Sequence, residues 1–280
     1  MKDADNSERV AGGRRPISFF AGASWSIALT LVLQLLVKLT DDARPGAADD
    51  LVSYTACDLL AVSLVLFAMV RVYAPTLPLR RVLAVRRVSP IHVILSAVAG
   101  AGIAPAMAGV DALIEKRYPL DAAEAERQTH MVSAVMGGRA TLAIALVLAL
   151  PIAEELFFRG ILFGGLRRGR TQGLTVLATT VFFACARLDP RAICTLFVLG
   201  LVLASLRSQS GSVISSSFAH AAFYAVPIVP ILLGRDVNAD FAYPLAWTAA
   251  AMGVAVVALV IGSLLSDRDA QALAARAEDR

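Results

Sequence analysis

Charged residues are scarce in this sequence. Asp, Glu, Lys and Arg make up 17% of its 280 residues, whereas a soluble globular domain carries about 25%. Hydrophobic residues make up 58%, and the mean hydropathy is +0.69. These values exclude an ordinary soluble protein and indicate an integral membrane protein. The formal net charge is only +4, and the basic residues are spread along the chain, so nucleic acid is not an expected partner.

Cysteine is also scarce. The three residues, Cys57, Cys185 and Cys194, each lie within an apolar run. No two of them have the spacing of a zinc site, and an odd set in apolar surroundings does not form a disulfide framework. We therefore expect the three cysteines to be small residues of the core.

Eight apolar segments approach the roughly 20 residues that a transmembrane helix needs. None shows the alternation of apolar and polar residues that is typical of membrane β-strands. We therefore predict an all-α, polytopic membrane bundle of about eight transmembrane helices. The fifth and sixth segments are short, which leaves open whether both cross completely. The segments are 17–39, 51–73, 90–113, 140–166, 172–187, 191–207, 211–233 and 243–266.

The distribution of charge predicts the orientation. The first apolar segment is longer than the core of a signal peptide, which has about 7–15 residues, so we expect an uncleaved span. If the polar segment 1–16 is cytoplasmic, most Lys and Arg residues fall inside, and the acidic stretches 41–50 and 121–126 fall outside. This bias favours cytoplasmic termini. The chain then consists of one bundle over 17–266, with polar cytoplasmic tails at 1–16 and 267–280.

Few ionisable residues lie within the apolar segments, where each costs about 2.5–3.5 kcal/mol on insertion. Three of them occur together in PIAEELFFRG, residues 151–160. Glu155 and Arg159 are four positions apart, so they share a helix face and can neutralise each other. Glu154 points about 100° away from that pair. The others are Asp58, Arg187 near a segment end, and His220.

Two interpretations of the three charges are open. All three can form one buried ion cluster that fixes the packing of the helices. Alternatively, Glu154 is left over beside the Glu155–Arg159 pair, and a lone carboxylate in a medium of low dielectric constant suits a general base. His220 lies roughly 13 Å and Glu154 roughly 18 Å from the inner side. An imidazole at a similar depth can activate water or stabilise an oxyanion, unless it only bonds a neighbouring serine or carbonyl.

These residues resemble the CPBP intramembrane proteases, which include the CaaX prenyl endopeptidases and the bacterial Abi-type proteins. The family pattern is EExxxR, then FxxxH, then HxxxN, and the resemblance covers about residues 139–233. The first motif is complete in EELFFR. In the second, FACAR ends in Arg187 instead of histidine. In the third, HAAFY begins with His220 and has Tyr224 in place of asparagine.

The resemblance implies a role for each matching residue. Glu154 is expected to act as the general base for water. Glu155 and Arg159 are expected to support and orient it, and His220 is expected to polarise the substrate carbonyl.

The two departures change what these positions can do. Arg187 stays protonated, so it cannot be a base. It can orient Glu154 or donate to an oxyanion, and Tyr224 can donate one hydrogen bond in place of asparagine. A catalytic zinc needs three protein ligands besides water, and Glu154, Glu155 and His220 would have to supply all of them. We therefore expect no metal and no other cofactor.

The resemblance implies an intramembrane endopeptidase of the bacterial inner membrane that cleaves a membrane-associated protein. The alternative is a catalytically impaired relative, a pseudoprotease that binds a membrane client. A transporter would predict a repeat between the two halves and interrupted helices, and we find neither pattern in the sequence.

Overall fold

The computed structural model describes residues 15–126, 143–233 and 243–278. Within these ranges the chain is helical and has no strand, so the predicted all-α membrane bundle is confirmed. The α-helices are α1 (Phe19–Ala43), α2 (Leu51–Tyr73), the single turn α3 (Leu79–Val82), α4 (Pro90–Arg117), α5 (Leu150–Glu155), α6 (Phe163–Leu166), α7 (Gln172–Cys185), α8 (Ile193–Ser210), α9 (Val213–Leu232) and α10 (Leu245–Glu278). Two wider π-helical segments, π1 (Ala145–Ala149) and π2 (Leu156–Leu162), flank α5.

Every predicted apolar segment coincides with helix over most of its described residues, with 140–142 lying outside them, but the helices differ in length. Five are long and apolar enough to cross a membrane, namely α1, α2, α4, α8 and the part of α10 up to Ser266. Helix α7 has only 14 residues, or about 21 Å, which is less than the hydrocarbon thickness of about 30 Å. Helix α10 continues through the predicted tail as far as Glu278.

Local sequence explains where several helices begin. Ser18 accepts a hydrogen bond from the backbone N–H of Ala21 at the start of α1. Asp50 does the same for Ser53 at the start of α2. Serine and aspartate are favoured caps because their side-chain oxygens satisfy backbone donors that lack a partner in the first turn. Helix α4 begins with Pro90, which has no N–H to satisfy.

Helix α4 packs against both α9 and α10 through glycines. A methyl group at Gly100 would lie 1.9 Å from the carbonyl oxygen of Ala219, and one at Gly102 would lie 2.6 Å from that of Ala251. Backbones in a membrane approach this closely only where a residue has no side chain. The contact at Ala219 fixes the depth and rotation of the next residue in α9, His220.

The two ends of the bundle differ in charge. The N–H of Arg15 donates to Tyr73 and that of Ile17 donates to Gly165, so the start of α1 and the ends of α2 and α6 meet at one end. We call it the basic end, because its connections contain no Asp or Glu. Its arginines are Arg15, Arg80, Arg81, Arg86, Arg87, Arg167, Arg168 and Arg170.

The opposite end, here called the acidic end, holds the α1–α2 connection and the chain that follows α4. The acidic residues there are Asp41, Asp42, Asp49, Asp50, Glu115, Asp121, Glu124, Glu126 and Asp189. Charge is thus separated along the bundle axis, as the sequence predicts.

The cysteine prediction holds for one residue of three. Cys57 is buried, whereas Cys185 and Cys194 are exposed on the helix surface, and all three are free thiols. In a membrane bundle, apolar residues face the lipid as well as the protein core. An apolar run therefore does not predict burial there as it does in a soluble protein.

Candidate active site

The helix that carries the two glutamates is wound unevenly. The N–H of Leu150 donates to the carbonyl of Ala145, five residues back, in π1, and α5 then spans the glutamates. The N–H of Phe163 donates to Phe158, again five residues back, at the end of π2. The sequence predicts a regular α-helix here, whereas the structure has wider π-helical turns on both sides of α5. Such turns are frequent at functional sites.

Glu155 and Arg159 form a fully enclosed pair. Both side chains are 0% exposed, and Arg159 Nη1 lies 2.9 Å from Glu155 Oε1. Arg159 Nη2 donates to the carbonyl of Gly200 at 3.1 Å. The guanidinium also lies 4.4 Å from the ring centre of Phe183. Each of these contacts satisfies or covers a buried charge, which is what a stable ion pair in a medium of low dielectric constant requires.

Glu154 belongs to a second group, which we call the outer group. Its Oε1 pairs with Nη2 of Arg187, and Nη1 of Arg187 lies 3.0 Å from Oδ2 of Asp58 in α2. The side chain of Arg187 is 23% exposed. One guanidinium therefore joins two buried carboxylates from different helices, and it remains partly accessible.

His220 lies between the enclosed pair and the outer group. Its Nδ1 is 3.2 Å from Oε1 of Glu155, and its Nε2 is 3.7 Å from Oε2 of Glu154. Among the described residues its polar partner is thus a carboxylate, and neither a serine nor a backbone carbonyl. Neither Nε2 of His220 nor Oε2 of Glu154 has a hydrogen-bond partner among the residues that the structure describes. One water molecule can bridge two polar atoms at this separation.

Two aromatic rings fix the plane of the imidazole. The ring centre of Tyr224, one turn further along α9, lies 5.2 Å from that of His220 at an angle of 30°. Phe183 approaches the imidazole edge-on, with its centre at 5.6 Å. With rings on two sides, the histidine keeps one nitrogen towards each glutamate.

A cavity of about 550 Å³ opens beside the outer group. It extends from Ala48 and Asp49 at the acidic end to Arg187 and Tyr224. Glu154 is only 4% exposed and His220 is 0% exposed. Arg187, which contacts Glu154 and also lines the cavity, therefore stands between the cavity and the two residues behind it.

The comparison with protein families agrees with this geometry. Residues 137–226 match the model of the family described as Rce1-like, type II CAAX prenyl endopeptidase. This segment is therefore similar to the Rce1-like family. The resemblance to the CPBP intramembrane proteases is confirmed at the level of the family. Comparisons with curated proteins and with solved structures gave no match.

The Rce1-like segment contains all six residues that the sequence singles out, Glu154, Glu155, Arg159, Arg187, His220 and Tyr224. The structure brings them into one connected cluster. Asp58 lies outside the matched segment, yet it holds Arg187.

A catalytic zinc site is not expected here. Such a site needs three protein ligands and an open position. Here one oxygen of each glutamate is paired with a guanidinium, and the other oxygen of each glutamate and Nε2 of His220 have no hydrogen-bond partner among the described residues. No group of three or more His, Cys, Asp or Glu residues suited to a metal occurs in the described ranges.

Sequence reasoning did not include Asp58 among the site residues. The signal was present, because Asp58 is an acid in the middle of an apolar helix and such a residue needs a partner. The sequence did not identify that partner. Arg187 is 129 positions away, and only the packing of α2 against the glutamate helix brings the two together.

Proposed function

We propose that the chain is an intramembrane endopeptidase in which Glu154 activates a water molecule against a peptide bond of a membrane-associated protein. The observation that supports it is the 3.7 Å separation of Glu154 Oε2 and His220 Nε2. Both atoms are buried and lack another partner among the described residues. A base and a proton donor on either side of one water position are what amide hydrolysis needs.

The reaction begins with the water. Its oxygen attacks the carbonyl carbon of the scissile bond, and its proton passes to Glu154. The tetrahedral intermediate then expels the amine, and Glu154 returns the proton to the departing nitrogen. The products are a carboxylic acid and an amine, which become a carboxylate and an ammonium group when the acid passes its proton to the amine, and Glu154 is again ionised.

His220 stabilises the negative oxygen of the intermediate. Its Nδ1 faces the carboxylate of Glu155, and a proton on Nε2 lets the ring donate to the oxyanion.

The outer group orients the base. Arg187 holds Oε1 of Glu154, which turns Oε2 towards His220. Asp58 holds the other end of the guanidinium, so Arg187 is fixed from two sides. Tyr224 lines the cavity beside Arg187, and we assign its hydroxyl the hydrogen bond to a peptide carbonyl of the substrate.

The expected surroundings are the lipid bilayer and a protein substrate within or next to it. Long apolar helices and the Rce1-like segment support an integral membrane protein with a membrane-associated substrate. We further propose that the protein resides in a bacterial inner membrane with its basic end, and hence both termini, towards the cytoplasm. The charge separation supports this orientation.

The test compares membranes that contain the wild-type chain with membranes that contain Glu154→Gln at equal abundance. Newly formed protein termini are identified by mass spectrometry after incubation. We expect cleavage sites that appear with the wild type and are absent with Glu154→Gln. Equal cleavage with both chains would show that Glu154 is not the base.

A second function is a pseudoprotease that binds a membrane client without cleaving it. The observation in its favour is Arg187, which replaces the expected histidine and stands between the cavity and Glu154. This function predicts no new termini with either chain. It also predicts that one membrane protein co-purifies equally with the wild type and with Glu154→Gln.

A further inference from the structure

The cavity beside the outer group begins at the acidic end. Its outermost lining residues are Ala48 and Asp49, from the connection between α1 and α2, and Glu124, which follows α4. Its innermost residues are Arg187 and Tyr224. No residue from the basic-end connections, 74–89, 167–171 and 211–212, lines it. Among the described residues, this cavity therefore leads to the site from the acidic end.

The depths of the site residues agree with that route. Asp58 lies about 10 Å from the start of α2 at the acidic end and about 22 Å from its other end at Tyr73. Arg187 follows the last residue of α7, also towards the acidic end. His220 lies furthest from the acidic end, about 10 Å from Val213 at the basic end. The charged cluster thus descends from Asp58 through Arg187 and Glu154 to His220.

The basic end is closed beneath His220. The connection 74–89 folds over it, where the N–H of Val213 donates to Ala84 at 3.2 Å. Ser212 is 0% exposed, and its hydroxyl donates to the carbonyl of Arg86 at 2.9 Å. Ser216, one turn before His220, is also 0% exposed.

The same connection also packs against the glutamate helix. A methyl group at Gly160 would lie 3.2 Å from the carbonyl oxygen of Leu83, so the two backbones are in close contact. Ala84 has a φ of +52°, a left-handed conformation that non-glycine residues rarely adopt. Its carbonyl contact with Val213 and the complete burial of Val82 hold it there. The connection is therefore a fixed cover.

We infer that substrates reach Glu154 from the acidic end of the bundle, which the positive-inside rule places on the extracytoplasmic side. The substrate class is accordingly a membrane-anchored polypeptide whose cleavable segment lies at or beyond the outer face of the membrane. This inference rests on the proposed proteolysis for its substrate, although the route itself is a property of the structure. Leu51, Leu146, Leu150 and Ile228 line the cavity, and they suit a segment with apolar side chains.

The test measures accessibility and does not depend on catalysis. Cys57, Cys185 and Cys194 are first replaced by serine in the full chain. Single cysteines are then introduced as Ala48→Cys at the rim, Tyr54→Cys on the cavity wall, and Gly169→Cys at the basic end. A membrane-impermeant sulfonated maleimide is applied to right-side-out and to inverted vesicles. Tryptophan fluorescence and thermal unfolding verify that each variant is folded.

We expect Ala48→Cys and Tyr54→Cys to be labelled in right-side-out vesicles and to lose labelling in inverted vesicles. Gly169→Cys, which is exposed and has no neighbouring atom within 4 Å of its added methyl position, should show the opposite pattern. Labelling of Tyr54→Cys from the side of Gly169→Cys, or from neither side while Ala48→Cys reacts, would overturn the route. Labelling of Gly169→Cys from outside would overturn the extracytoplasmic assignment. If labelling is as expected but no protein is cleaved, the proposed proteolysis fails and the route remains.

Discussion

Two guanidinium–carboxylate groups lie side by side in this protein and differ in access. In the enclosed pair, Glu155 and Arg159 are both 0% exposed. In the outer group, Arg187 is 23% exposed and joins Glu154 to Asp58. The two glutamates are neighbours in the chain, yet Glu155 faces only protein, whereas Glu154 is separated from the cavity by the side chain of Arg187. Sequence adjacency therefore does not give them the same function.

The difference follows from how each charge is neutralised. The two terminal nitrogens of Arg159 bind one carboxylate and one backbone carbonyl, and an aromatic face covers the guanidinium, so the pair has no contact with the cavity. Arg187 is satisfied by two carboxylates and also faces the cavity. When one of the two carboxylates is removed, the other remains paired with Arg187. The enclosed pair is thus a structural element, whereas the outer group can exchange partners during a reaction.

The largest expected effect is on stability, in the variant Arg159→Met. It leaves Glu155 as a buried charge without its guanidinium, and breaking a buried pair in this way costs about 3–5 kcal/mol. Thermal or denaturant unfolding in detergent micelles measures the loss. Glu154→Gln is the matched control, because it leaves Arg187 paired with Asp58, and it should destabilise clearly less. Equal losses would contradict the distinction between the two groups.

The next effect is on catalysis, in the variant Arg187→Met. Without the guanidinium, Glu154 loses the contact that directs Oε2 towards His220, and misplacement by about 1 Å costs on the order of a hundredfold in rate. The measurement is the cleavage rate of a peptide identified with wild-type membranes. An increase in rate would instead show that Arg187 obstructs the site.

Tyr224→Phe should have a smaller effect. It removes one hydroxyl and keeps the ring that lies against His220. The loss of one hydrogen bond corresponds to roughly 0.5–1.5 kcal/mol, so we expect a decrease in cleavage rate of up to about tenfold. Thermal unfolding should be unchanged. An unaltered rate would show that the hydroxyl of Tyr224 has no role in the reaction.

The smallest effect extends the comparison to an ion pair at the surface. Asp50 caps α2 and lies 2.7 Å from Arg44, whose side chain is 63% exposed. Hydrogen bonding from Ser53, more than the charge of Arg44, lowers the pKa of Asp50 from 3.8 to about 2. A lowered pKa gives stability that is present above pH 4 and is lost as the pH falls through about 2.

Asp50→Ala should therefore destabilise the chain at pH 7 by about 1 kcal/mol, the usual contribution of such a cap. The difference from the wild type should shrink as the pH falls from 4 towards 2. Unfolding measured across that range is the check. A difference that stays constant with pH would mean that the ionised carboxylate is not the source of the stability.

Much of the fold follows from the sequence because the membrane imposes helix on apolar segments. The described residues of the eight predicted segments are mostly helical, and the i, i+4 spacing of Glu155 and Arg159 correctly predicts their contact. Local spacing within one helix determines such a pair, so no tertiary information is needed.

Other features depend on tertiary packing and were not predictable in the same way. The contact between Asp58 and Arg187 joins α2 to the second residue after α7, and no periodicity within either helix encodes it. The π-helical turns around the glutamates depend on neighbouring helices as well as on local propensity. The exposure of Cys185 and Cys194 depends on which helix faces meet lipid.

The most direct test of the account compares the cleavage rates and the unfolding of two matched variants, Glu154→Gln and Glu155→Gln, on the same peptide. Glu154→Gln leaves Arg187 paired with Asp58, so we predict near-wild-type unfolding and a rate reduced about 10²–10⁴-fold by loss of the general base. Glu155→Gln should instead lower stability first, because Arg159 loses its only carboxylate within hydrogen-bond distance in the described structure. Cleavage by Glu154→Gln at the wild-type rate, with a reduced cleavage rate only in Glu155→Gln, would contradict the assignment of Glu154 as the general base.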